Sequence, residues 1–145
     1  MERFPSPDGR HVAELEPTGE VFLERPLFRL RVDGLRIDST RYLGRWVFGA
    51  ELVWSSDSRW FAIQKWDIPD RGPQTSLLVL DLEERAWQIH GPNTRALMRP
   101  VSIEEDLFAS ESLDLRTGEV RRGQVSLRSA LCRWGSLDGE GGLGP

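Results

Sequence analysis

Short apolar runs alternate along this chain with turns rich in proline, glycine, serine and aspartate. Residues 11–15 (HVAEL), 60–66 (WFAIQKW) and 77–80 (LLVL) are apolar and β-favouring, and they predict strands. Residues 41–48 (RYLGRWVF) interleave arginine with aromatics and also read as a strand. The first of these runs follows Ser6-Pro7-Asp8-Gly9, where proline sets φ near about −65° and glycine supplies a left-handed residue, so a tight turn is expected. One segment has a different period. Residues 126–134 (SLRSALCRW) place Leu127, Ala130, Leu131 and Trp134 at i, i+3, i+4 and i+7, with Ser126 positioned as an N-cap and Gly135 just past the end. This predicts a short amphipathic helix over 126–134, docked on the sheet or offered to a partner, and then a flexible glycine-rich tail over 136–145.

The pattern recurs. SPDGR at 6–10 returns as SSDSR at 55–59, and a weaker copy begins at Ser102, placing Phe108 and Ala109 where the earlier copies have Val12 and Ala13, then Phe61 and Ala62. A second landmark keeps the same period, because Val32-Asp33 and Leu80-Asp81 each end an apolar strand at a turn. SLDLRTGEV supplies the counterpart in the third copy, but Asp114 follows Ser102 so closely that the middle hairpin of that unit is missing. Ser-Pro-Asp-Gly-Arg before an apolar strand, with apolar-Asp-Leu-x-Thr-Gly-Glu-Val after it, resembles the TolB-type and WD-like β-propeller repeat over roughly residues 4–123. There are departures: Ser58 replaces the turn glycine, Arg85 stands where Gly118 closes the strand turn, and Glu14 occupies the place of Ile63. The resemblance implies blade-like antiparallel sheets and is nearly silent on function.

Propellers need about four to eight blades, and this chain holds two and a fraction. The expected fold is therefore mainly β, with antiparallel, incomplete β-propeller-like sheets and one short C-terminal helix. It forms a single domain over 1–135, with units of about 4–54, 55–101 and 102–123. An open antiparallel sheet leaves unpaired N–H and C=O groups along its rim, so something must cap it.

Composition narrows the chemistry. The chain is 39% hydrophobic and 29% charged, with a net charge of −4, and Lys65 is its only lysine. A mildly acidic protein is not a default binder of nucleic acid or of anionic membrane. Cys132 is the only cysteine, which excludes an internal disulfide and a cysteine-rich zinc site; with no apolar leader and no long apolar run, a cytoplasmic location is expected. The literal G-x-G-x-x-G at Gly139, Gly141 and Gly144 has no strand before it and no helix after it, so no dinucleotide site is expected. His11 and His90 stand in no metal-ligand spacing, and no G-x-S-x-G elbow exists. Glu83-Glu84 and Glu104-Glu105-Asp106 fall in predicted turns and read as solvated charge. No catalytic residue, metal or cofactor is expected.

What survives is recognition. Four of the six tryptophans (Trp46, Trp54, Trp60 and Trp66) crowd into one stretch and read mainly as core, with any surplus at a rim available as binding anchors. The loop over 67–75 (DIPDRGPQT) joins two strands of the best-formed unit, and Asp67, Asp70 and Arg71 are expected to make polar contacts there beside Trp66 as the anchor. The reading is a non-catalytic, cytoplasmic module that binds another protein, such as a toxin or enzyme, as a stoichiometric inhibitor. It is similar in size and lack of motifs to immunity proteins that neutralise bacterial toxins. Two alternatives stay open: a carboxylate-dependent hydrolase or sugar-processing enzyme, and a structural subunit whose copies complete a ring as a homo-oligomer.

Overall fold

Both Ser-x-Asp turns form, and they use the same hydrogen bonds. Ser6 Oγ donates to Asp8 Oδ1 (2.9 Å) and accepts from the His11 amide (3.1 Å), while the Arg10 amide donates to Asp8 Oδ1 (2.9 Å). At the second turn Ser55 Oγ donates to Asp57 Oδ1 (2.5 Å) and accepts from the Trp60 amide (2.9 Å), and the Arg59 amide donates to Asp57 Oδ1 (3.1 Å). Ser58 takes φ +64° where Gly9 takes +74°. The left-handed serine is useful, because its Oγ accepts the Asp8 amide at 3.0 Å and so ties the two turns together.

The computed structural model describes residues 1–38, 46–67, 74–91, 95–129 and 134–138. Its strands are β1 (Glu2–Pro5), β2 (Val12–Phe22), β3 (Arg25–Val32), β4 (Leu35–Ile37), β5 (Val47–Trp54), β6 (Trp60–Asp67), β7 (Gln74–Asp81), β8 (Ala86–His90), β9 (Ala96–Glu104), β10 (Leu107–Asp114), β11 (Val120–Ser126) and β12 (Gly135–Ser136). The described residues are all β and antiparallel, as the sequence pattern predicts. A long sheet runs β1-β2-β3-β5-β6-β7-β8-β12 with β4 also on β3, a second runs β11-β10-β9, and neither closes on itself.

The long sheet folds over. β3 meets β5 through the single residue pair Phe28–Phe48. In a flat sheet β1 and β5 would stand roughly 14 Å apart. Instead Trp54 Nε1, on β5, donates to the carbonyl of Phe4, on β1, at 3.1 Å. The first four strands thus lie across the face of β5–β8, and Leu15, Leu30, Phe48, Phe61, Ile63, Leu78 and Leu80 fill the core between them. Alternation along β6 and β7 sends Trp60, Ala62, Leu77 and Val79 to the opposite face, where Ile103, Phe108 and Leu127 from the β9–β11 side complete a second core. β6 and β7 are buried on both faces, which is why they read as nearly continuous apolar runs. Phe61 and Phe108 each face the layer that precedes their own.

The predicted C-terminal helix is not seen among the described residues, and both of its expected ends lie in strands. Ser126, the expected N-cap, is the last residue of β11 and pairs with Leu107. The Leu127 amide then donates to the Asp106 carbonyl (2.8 Å), and Ser129 closes a turn on Ser126. Gly135, the expected C-cap, begins β12 and pairs with Trp87; a Cβ there would come within 2.4 Å of the indole. Residues 130–133 lie outside the described set. The apolar residues that gave the helical spacing are used differently: Leu127 enters the second core from a turn, and Trp134 packs on Trp60 with centroids 5.8 Å apart. A nine-residue helix has little stability of its own, and pairing with β8 satisfies backbone groups that helix ends leave open. Of the stretch read as a tail, Leu137 is buried in the first core and Asp138 pairs with Arg85 at 2.8 Å; residues 139–145 lie outside the described set.

Candidate functional site

Of the sequence-predicted contact residues, Trp66 and Asp67 are among those described. Trp66 is 3% exposed, paired with Thr75 and packed on Phe22 at 5.7 Å, so it is part of the interior. Asp67 ends β6, pairs with Gln74 and accepts a bond from Lys65 Nζ. Asp70 and Arg71 lie outside the described residues.

The surface that stands out instead is β9–β11. Phe108, Ile103 and Val125 point into the second core, so alternation turns three cross-strand rows outward. One row is Ser102–Ala109–Gln124, the next Arg99–Glu111–Arg122, and the last Leu97–Leu113–Val120. A groove of about 320 Å³ covers the last two rows and is walled by Arg25, Glu51 and Gln64 from the long sheet. Another, of about 520 Å³, covers the first. Val101, Leu107, Leu113 and Val120 in these strands, with Leu115 just beyond β10, make five of the nine large hydrophobics exposed among the described residues. Apolar surface is therefore concentrated here.

The two edges of this sheet differ. On β9, Met98 has its amide accepted by Thr75 Oγ1, and its carbonyl takes bonds from Thr75 Oγ1 and Gln64 Nε2, each at 2.8 Å. Side chains of the middle strands thus cap that edge. Among the described residues β11 pairs with β10 alone, and Val120 through Gln124 are all exposed. Val120 through Gln124 thus present a backbone side with no strand beside it among the described residues.

Charge on this surface is arranged so that cations face water. Glu111 accepts from Arg99 Nη2 (3.0 Å) and Arg122 Nε (3.3 Å), and these bonds, that of Arg99 foremost, hold its carboxyl below the usual range. Asp114 is likewise lowered, first by the Arg116 amide at 2.8 Å, which makes it a turn anchor. The side chains of Glu111 and Asp114 are each 18% exposed, whereas those of Arg116, Arg121 and Arg122 are 69%, 72% and 83% exposed.

Elsewhere, polar groups are engaged in structure. His11 Nδ1 lies 2.6 Å from Asp33 Oδ2, and its ring stacks on Trp54. His90 meets the edge of Phe108 at 5.7 Å, and burial pushes its pKa down. Arg59 donates to both oxygens of Asp81 (3.0 and 2.9 Å), and Asp81 also accepts the Glu83 and Glu84 amides, so that glutamate pair sits in an ordinary turn. Asp106 accepts from Ser126 Oγ at 2.9 Å. Asp8 is lowered by the Arg10 amide; burial raises Asp57, but bonds from Ser55 and the Arg59 amide outweigh it. Each carboxyl with a shift is thus shifted downward, the reverse of what a general acid needs. Among the described residues no group of three or more His, Cys, Asp or Glu is placed to hold a metal, and no helix is long and apolar enough to cross a membrane.

No family model matches this chain, and no curated protein or solved structure matches it.

β11 left a sequence signal that the motif reading passed over. The sequence pattern predicts a third unit without its middle hairpin, and a sheet short of strands has a bare side. VRRGQV, with Val120, Arg122 and Gln124 on one face, is the strand that borders it.

Proposed function

We propose that this chain is a non-catalytic, cytoplasmic protein-binding module that docks its partner on β9–β11, acting as a stoichiometric inhibitor of a toxin or other enzyme. The observation that carries this reading is the coincidence, on and just beside one small sheet, of a strand edge left bare among the described residues, five of the nine exposed large apolar side chains described and two grooves. Exposed apolar residues rimmed by arginine are the usual makings of a protein interface.

The test is amide exchange on a complex purified from the source cell. Slowed exchange over 96–126 relative to the free chain is expected. Slowing confined to residues 66–75 would move the interface to the loop read from sequence. A chain that self-associates and recovers no partner would defeat the inhibitor reading.

A further inference from the structure

Resting on β9–β11 as the docking surface, we infer that the partner contributes an extended acidic segment that pairs with β11 as the fourth strand of that sheet. The outer backbone side of Val120 through Gln124, which meets no strand among the described residues, supplies the hydrogen bonds, and these carry no sequence preference. Specificity comes from the outward row. A carboxylate opposite Arg122 meets a guanidinium 83% exposed, while Glu111 beneath holds that guanidinium in place at 3.3 Å. An apolar residue two positions along falls beside Val120 and Leu113, which are exposed and adjacent across the strands. The added strand thus alternates acidic and apolar side chains on the face it shares with β11.

Charge also decides against a second copy as the occupant. Two β11 strands paired antiparallel about Gly123 would set Arg122 of each chain opposite Gln124 and diagonal to the other Arg122, and long like-charged side chains within diagonal reach weaken such a pair. The chain as a whole carries −4, so cations are locally displayed here against the general charge.

The experiment uses the full chain and two short peptides, one repeating Glu-Thr-Val-Thr and one repeating Lys-Thr-Val-Thr so that charged and apolar side chains alternate along one face, with amide exchange and fluorescence anisotropy as readouts. The glutamate peptide is expected to bind, to weaken as salt is raised, and to slow exchange over 120–126. The double variant Arg121→Gln/Arg122→Gln, at two highly exposed positions and without a new carboxylate beside Glu111, keeps close to the wild-type melting temperature and loses about tenfold in affinity for the glutamate peptide. Equal binding of both peptides, no slowing over 120–126, or slowing in the free chain that grows with its own concentration overturns the inference. The same variant separates this inference from the reading beneath it. A natural partner that slows exchange over 96–114 but not 120–126, and is indifferent to the double variant, leaves the docking surface standing and removes the added strand.

Discussion

Arg59 grips Asp81 through two hydrogen bonds and lies over the Trp60 ring at 4.5 Å, with Asp81 nearly buried. Its pKa is raised, first by the hydrogen bond to Asp81. Arg59→Ala would leave a carboxylate in the wall of the molecule with only turn amides to balance it, and a loss of about 2–3 kcal/mol is expected by urea unfolding. Arg59→Lys keeps the charge but not the fork, and should recover less than half of that loss. Ser58 shows how far a single residue could be read. SSDSR lacks the glycine of SPDGR, yet the backbone adopts the same left-handed angle and the hydroxyl gains a partner fifty residues away. Local turn chemistry was legible; the partner across the fold was not.

At the level of strands and their contacts, β8 and β10 meet through His90 and Phe108. His90 is held neutral by burial alone, and its Nε2 is buried with no hydrogen-bond partner among the described residues. Its folded pKa lies below its unfolded value of 6.5, so the unfolded chain binds the proton more readily. Stability is therefore complete above that value and falls as the pH drops below it. Melting temperature measured from pH 8 to 5 should decline for the wild type and decline less for His90→Phe, which keeps the ring and removes the titration. The strands themselves were readable from their apolar runs, whereas the segment after β11 was not. Leu127 and Trp134 are a helical interval apart, and nothing local shows that one will plug a core from a turn while the other leans on Trp60. Nor does any local pattern mark β11 as exposed, since an edge is defined by the strand missing beside it.

The whole molecule is three layers held by two cores, with β6 and β7 as the wall common to both. No strand pairing joins β9–β11 to the long sheet among the described residues, only the second core and the side-chain bonds at Met98. Native-state amide exchange should accordingly show β9–β11 opening at lower free energy than β5–β7. Phe108→Ala, at a cost of about 3–5 kcal/mol, should lower that sub-global opening far more than it lowers protection in β2 and β3. The shared wall also sets a problem for biosynthesis. β6 and β7 are complete well before the third layer has been translated, so one side of the most apolar part of the nascent chain emerges from the ribosome with nothing yet made to cover it. Translation speed through residues 95–127, and chaperone occupancy during that interval, then govern how much of this protein reaches its native state.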